Sequence, residues 1–290
     1  MSRARDIADG KFANDLTVTN GNIKLDGDYP TGSNNVALGN TALDDGSLSG
    51  ANNTAIGSAA MTAHTSGNNN TAVGHEALTA STTGFSNVAV GGRTLDANTT
   101  GAQNAALGYQ ALSANTTANN NTAVGYQALL ANTTGYSNTG LGTSALAATT
   151  TGRDNTAIGH GALDANTTAN NNVAIGKNAL GVNTTGAGNV AVGAASLDAC
   201  TTGSGNVAVG LAALGANTTA SNNTAIGENA GQTTAAGDSN VFVGEEAGKN
   251  SNGNRNTFVG RHAGRVMTAT GTAQNTFLGC FAGRYVTTGS

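Results

Sequence analysis

The sequence predicts an all-β protein, a parallel β-solenoid or β-roll of about fifteen 17-residue coils, preceded by an N-terminal β-hairpin module. Three observations predict it. A pentapeptide of the form Asn-(Thr/Val)-Ala-(Ile/Val/Leu)-Gly recurs through nearly the whole chain. The composition, with 43 Gly, one Pro, no Trp and 4% aromatics, is too poor in large side chains for a wide core. Charged residues are only 10% and the net charge is −4, whereas disorder goes with high charge and few aliphatics.

Residues 1–33 lack the repeat and carry nine of the 28 charged residues, which marks them as a separate module. The stretch from Leu16 to Leu25 alternates about Asn20-Gly21, a strong hairpin signal. Residues 3–9 have room for one helical turn. The segment reads either as a cap for the first coil, which solenoids need, or as a plug that docks the chain onto a larger body.

Residues 34–290 form the repeat region. The closing glycines run from Gly39 to Gly279, and they are seventeen residues apart except at the first step and the last two. All fifteen copies have Asn four residues before that Gly and Ile, Val or Leu one residue before it. The copy NTAVGYQALLANTTGYS, residues 121–137, is representative. Seventeen residues are too few for the helical repeats, which need about 33 or more, and suit a coil of short strands and turns.

In that copy Asn121 opens the coil and is expected to stack on its equivalents as an amide ladder. Thr122-Ala123-Val124 is the strand, with Ala123 on one face and its two neighbours on the other. Gly125 allows a sharp corner. Ala128 and Leu129 follow as core residues, and Asn-Thr-Thr-Gly makes the second turn. A strand apolar on both faces cannot leave one in water. One face is therefore expected inside the coil and the other against a second chain. At the ~4.8 Å spacing of paired strands, fifteen coils predict a rod of roughly 70 Å.

The repeats fall into two classes. The fourth residue after Gly is Leu or Met in eleven copies and Gly in the last four, Gly231, Gly248, Gly264 and Gly283. The central strand residue becomes Phe in the last three, Phe242, Phe258 and Phe277. Volume lost at one position and regained at another implies a shared core layer. Each Phe follows one of the new glycines, so the Leu site is expected to contact the strand of the next coil. On that reading Gly283 lacks its Phe, and one more Asn-Thr-Phe strand is expected beyond Ser290.

The repeat with Ala after the glycine resembles the coils of trimeric autotransporter adhesin heads. The Asn-Thr-Thr-Gly turns, the phenylalanine copies and the opening Ser2-Arg3-Ala4-Arg5-Asp6 are more similar to bacteriophage tail or virion fibres. The resemblance covers residues 34–283 and the opening segment. It implies a left-handed roll in an intertwined or side-by-side homotrimer, located in the virion. The N-terminal segment would dock to a virion protein, and a distal contact would meet a host-surface glycan or protein. Such fibres continue into a tip or a self-cleaving chaperone domain, and neither is visible here. No apolar run suited to a signal peptide, anchor or membrane insertion is seen, which favours the virion over a bacterial adhesin head and implies release by lysis.

Other classes are weighed against single residues. The 12 Lys and Arg are scattered, so no nucleic-acid partner is expected. Cys200 and Cys280 occupy different repeat positions and are not expected to pair. No enzyme, cofactor or metal is expected, because titratable groups do not converge and the calcium-roll motif is missing. His75 and His160 share one repeat position that a trimer could gather around an ion; solvated rings are the simpler reading. Glu245 and Glu246 are read as surface residues pointing apart. Tyr109 and Tyr126 share a position in successive coils, with Tyr136 close in sequence, so they are candidate glycan contacts or a stacked ladder. The Asn-Thr-Thr triplets match glycosylation sequons but read as turns. Their Thr pairs suggest an ice-binding array as an alternative, on a surface that the turn would curve.

Overall fold

The computed structural model describes residues 33–46, 48–233, 237–267 and 274–286, together with the backbone of 16–18 and 21–23. In the N-terminal segment, Leu16–Val18 and Gly21–Ile23 pair antiparallel, with Val18 opposite Gly21. The possible helical turn at 3–9 lies outside the described residues.

Among the described residues there is no helix. Fifteen three-residue strands follow one another at the repeat interval, giving a parallel β-solenoid. The chain divides into two compact units, residues 1–134 and 135–290. The first holds six of the strands, Val36–Leu38 to Thr122–Val124, each paired parallel with the next. The second holds nine, Thr139–Leu141 to Thr276–Leu278, paired in the same way. The register matches like with like, as in Ala157 with Ala174 and Phe258 with Phe277. Near its end the second unit gains a further parallel ladder of Asn250–Ser251, Val266–Met267 and Tyr285–Val286.

Each strand is short because an Asn, buried in all but the first and last coils, opens it and a glycine closes it. The glycine is obligatory: Gly108 has φ 135°, and a Cβ there would fall 2.4 Å from the carbonyl oxygen of Gly125 in the next coil. Inside the coil, Ala123, Ala128 and Leu129 are fully buried, while Thr122 and Val124 stay at least partly exposed. Small side chains thus fill a thin core, as the composition requires.

The asparagine ladder is a continuous chain of side-chain amides within each unit. Asn155 sends both its backbone N–H and its Nδ2 to Oδ1 of Asn138, each at 3.1 Å, and Nδ2 also donates to the Ala169 carbonyl at 2.9 Å. Its own Oδ1 accepts from the backbone N–H and Nδ2 of Asn172. The side chain is fully buried, so the strong requirement that buried polar groups find partners is met by the neighbouring coils.

The large core residue after each glycine adopts a backbone that sequence reasoning did not anticipate. All eleven, from Leu43 to Leu214 with Met61 among them, have φ between 47° and 55°. A side chain in this left-handed region costs about 1–2 kcal/mol. Burying a Leu contributes roughly 1.5–3 kcal/mol, which offsets it. Glycine at the same corner, as at Gly248 with φ 60°, removes the strain and the packing together.

Phenylalanine then refills the space, though from a different direction than expected. A Cβ on Gly248 would lie 2.4 Å from Phe242, one on Gly264 2.5 Å from Phe258, and one on Gly283 2.6 Å from Phe277. Each of these phenylalanines belongs to the strand of the same coil. Contact with the next coil's strand occurs at Gly231, which lies between Leu214 and Phe242. Gly283 therefore already has its Phe, and the argument for a further Asn-Thr-Phe strand loses its basis. The rings also stack coil on coil, Phe242 to Phe258 at 5.5 Å and Phe258 to Phe277 at 4.9 Å.

Candidate functional site

The second turn is built from inside. Its leading residue is fully buried in coil after coil, as at Asn98, Asn115 and Asn166. Asn115 donates to Oδ1 of Asn98 at 2.8 Å, so this sequon asparagine is a structural rung. The first Thr of each pair is committed as well, since Thr99 donates from Oγ1 to the carbonyl of Thr116 at 3.1 Å. Half of the Thr array therefore spends its hydroxyls inside the stack, which leaves a poorer water-ordering surface than the triplets suggest.

His64 occupies this same rung position and is fully buried. Its Nε2 lies 2.9 Å from the Gly67 carbonyl, and its Nδ1 has no partner. Burial pushes its pKa below the usual 6.5. The unfolded chain then binds the extra proton, so the ring costs nothing above that pH. Stability falls as pH drops below 6.5 and levels off once pH passes the lower folded-state value. His64→Asn inserts the residue that serves this position at Asn98 and is expected to abolish that pH dependence. Thermal melts of both proteins from pH 7.5 to pH 4.5 check it, and parallel pH profiles would refute the assignment.

Cys200 sits at the same rung position, with burial pushing its thiol up to about 11. Cys200 and Cys280 are both free, one buried and one exposed. His75 and His160 are both exposed. Among the described residues, no three or more His, Cys, Asp or Glu side chains group as metal ligands would. Nor is any helix there long and apolar enough to cross a membrane.

The tyrosine position directly after the strand glycine is exposed. Tyr109 and Tyr126 stack with centroids 5.9 Å apart and planes 15° apart, each about half exposed. Beside them Gln127 donates to Gln110 at 3.0 Å, and Arg93 pairs with Glu76 at 2.8 Å. Tyr136 occupies a different repeat position, two residues before its Asn, and is taken up by Arg153. The Arg153 guanidinium lies 5.4 Å from the Tyr136 ring centroid and donates to its hydroxyl. The three tyrosines thus split into one stacked pair and one cation–π pair.

A charged cluster at the last coils was not anticipated. Glu245 is exposed and takes Arg261 at 2.8 Å, while Glu246 is largely buried. Lys249 at 2.8 Å, Arg265 at 2.5 Å and His262 at 3.4 Å surround the Glu246 carboxylate. The hydrogen bond from Lys249 leads in holding that carboxyl below its usual range. Glu245 also reaches His262, at 3.9 Å, so the two carboxylates converge on one imidazole rather than point apart, and Glu246 is only partly exposed. The signal was present in the column arithmetic, because Arg261 stands one repeat beyond Glu245. Arg284 adds to this end, 4.9 Å from the Phe281 centroid and 5.0 Å from that of Tyr285.

The outward strand face carries exposed aliphatic side chains in both units. In the first unit it includes Val36, Val88 and Leu107, each 44–49% exposed, and in the second Leu141, Ile175 and Ile226. No family model, curated protein or solved structure matches the chain.

Proposed function

We propose that the chain is a non-enzymatic structural and adhesive subunit of a fibre, a homotrimeric shaft that holds a host-surface contact away from a virion. One observation carries this reading. The strands stack in register coil after coil and turn outward a partly exposed face of Val, Leu and Ile interspersed with Thr. Apolar patches of this kind mark association surfaces. Three copies packed on that face would bury it, and the closed threefold would need no further partner. Identical coils supply stiffness and reach by repetition. The N-terminal segment, with its concentrated charge, is the natural attachment point to the virion.

Light scattering with small-angle X-ray scattering tests the reading. The expected particle is elongated and has three times the 28.2 kDa mass of one chain. Leu107→Glu, placed on the outward face, is expected to give smaller particles with an unchanged β-type circular dichroism spectrum. A wild-type monomer would sink the proposal.

A further inference from the structure

The column of residues directly after the strand glycine has a missing rung. In successive coils it reads His75, Gly92, Tyr109, Tyr126. Gly92 is not required by the backbone, since it lies outside the positive-φ glycines. A Cβ there would meet Tyr109 at 3.4 and 3.7 Å, ordinary contact distances. The fold accepts a large side chain at this position, because Leu211 occupies it and is exposed. Gly92 therefore leaves one face of Tyr109 bare, while Tyr126 stacks on the ring.

The geometry points to a saccharide-binding slot over Gly92, in which a neutral pyranose ring lies on the open face of Tyr109. Three features select that ligand class. His75, one coil beyond Gly92, has a side chain 61% exposed. Two coil spacings set the backbones of His75 and Tyr109 about 9.6 Å apart, so the absent side chain at Gly92 leaves room for a ring above Tyr109. The rim is polar and neutral overall: Arg93 and Glu76 pair through Nε and Oε2 at 2.8 Å. The guanidinium's remaining N–H groups and the second carboxylate oxygen can serve hydroxyls. Gln110 stands next along the same rim, its Oε1 engaged by Gln127. A pyranose has an apolar C–H face and a hydroxyl edge, which matches an aromatic floor with a ring of donors and acceptors. A free aromatic ring would use the floor and leave the rim idle.

This inference rests on the adhesive part of the proposed function and not on its spacer part. The test uses the full chain with methyl α-glucoside, methyl β-galactoside and methyl α-mannoside as probes, read by saturation-transfer NMR and titration calorimetry. Phenol serves as the aromatic comparison. At least one glycoside is expected to bind. Gly92→Leu, which fills the slot without removing a contact, and Tyr109→Ala should each weaken it about tenfold or more. Tyr136→Ala should leave it unchanged, and circular dichroism should be native for all three variants. Binding by none of the glycosides, equal binding by Gly92→Leu, or phenol bound in their place would each overturn the slot. Scattering on the same sample separates the two readings: an elongated trimer that binds no glycoside leaves the shaft standing and removes the slot.

Discussion

Ala157→Phe and Leu163→Gly are each expected to destabilise the second unit, and the two together to cost well under their sum. Both residues are fully buried. Forcing a ring into the Ala157 site overpacks it by about 1–3 kcal/mol or more. Removing the Leu163 side chain costs about 2–5 kcal/mol in lost packing. Part of that is returned, because Leu163 sits at φ 51° and glycine relieves the strain. The pair reproduces what the chain itself does at Phe258 and Gly264. A coupling of about 2 kcal/mol in a double-mutant cycle, measured by urea unfolding, is the expected result. Ala174→Phe, in the next coil, should couple to Leu163→Gly more weakly. A cycle that sums without coupling would show that the Phe copies are not packing partners of their own corner.

Asn155→Ala should be among the most damaging single truncations in the ladder. It leaves the buried N–H of Asn172 without a partner, while Asn172 Nδ2 keeps the Gly186 carbonyl and the Ala169 carbonyl keeps Asn166 Nδ2. A buried group left unsatisfied costs about 1–3 kcal/mol, and with two further hydrogen bonds lost a destabilisation of roughly 2–3 kcal/mol is expected. Asn155→Asp should be worse at neutral pH, since it buries a charge among acceptors. Its folded-state pKa would be raised, so its deficit should shrink as pH falls and the carboxyl protonates. Thr168→Ala, on the exposed side of the second turn, should change stability by no more than about 0.5 kcal/mol. Urea unfolding at pH 7 and pH 4 checks all three. An Asn155→Ala protein as stable as Thr168→Ala would remove the ladder from the list of stabilising features.

The strand and its glycine were legible because both have one physical reason that shows in sequence. The strand at Thr122–Val124 alternates between Ala and β-branched residues, and Gly125 closes it. The Asn121 ladder was legible from recurrence alone. The left-handed corner at Leu129 was not, since Leu carries no preference for positive φ and its burial reads as ordinary core. The Phe swap was visible as a volume exchange, yet chain order could not say which strand a corner faces. Tyr109 and Tyr126 could be paired from their shared position. Tyr136 was grouped with them by proximity along the chain, which a coil scrambles, and its true partner Arg153 lies one repeat on. The Glu246 cluster was missed because Glu245 and Glu246 were read as an adjacent pair rather than against the charges one coil away.

Near-identical coils make a chain easy to pair out of phase. A coil that skips its neighbour and docks on the one after loops out seventeen residues. It still finds Asn on Asn, Ala on Ala and Leu on Leu, and gives up only a single coil of contacts. The phenylalanine copies break that degeneracy. The Phe242 strand slipped onto a Leu-cornered coil would meet a side chain where Gly231, in the coil before it, leaves space for its ring. The last coils thus act as a phase marker, fixing the count of the repeats that precede them.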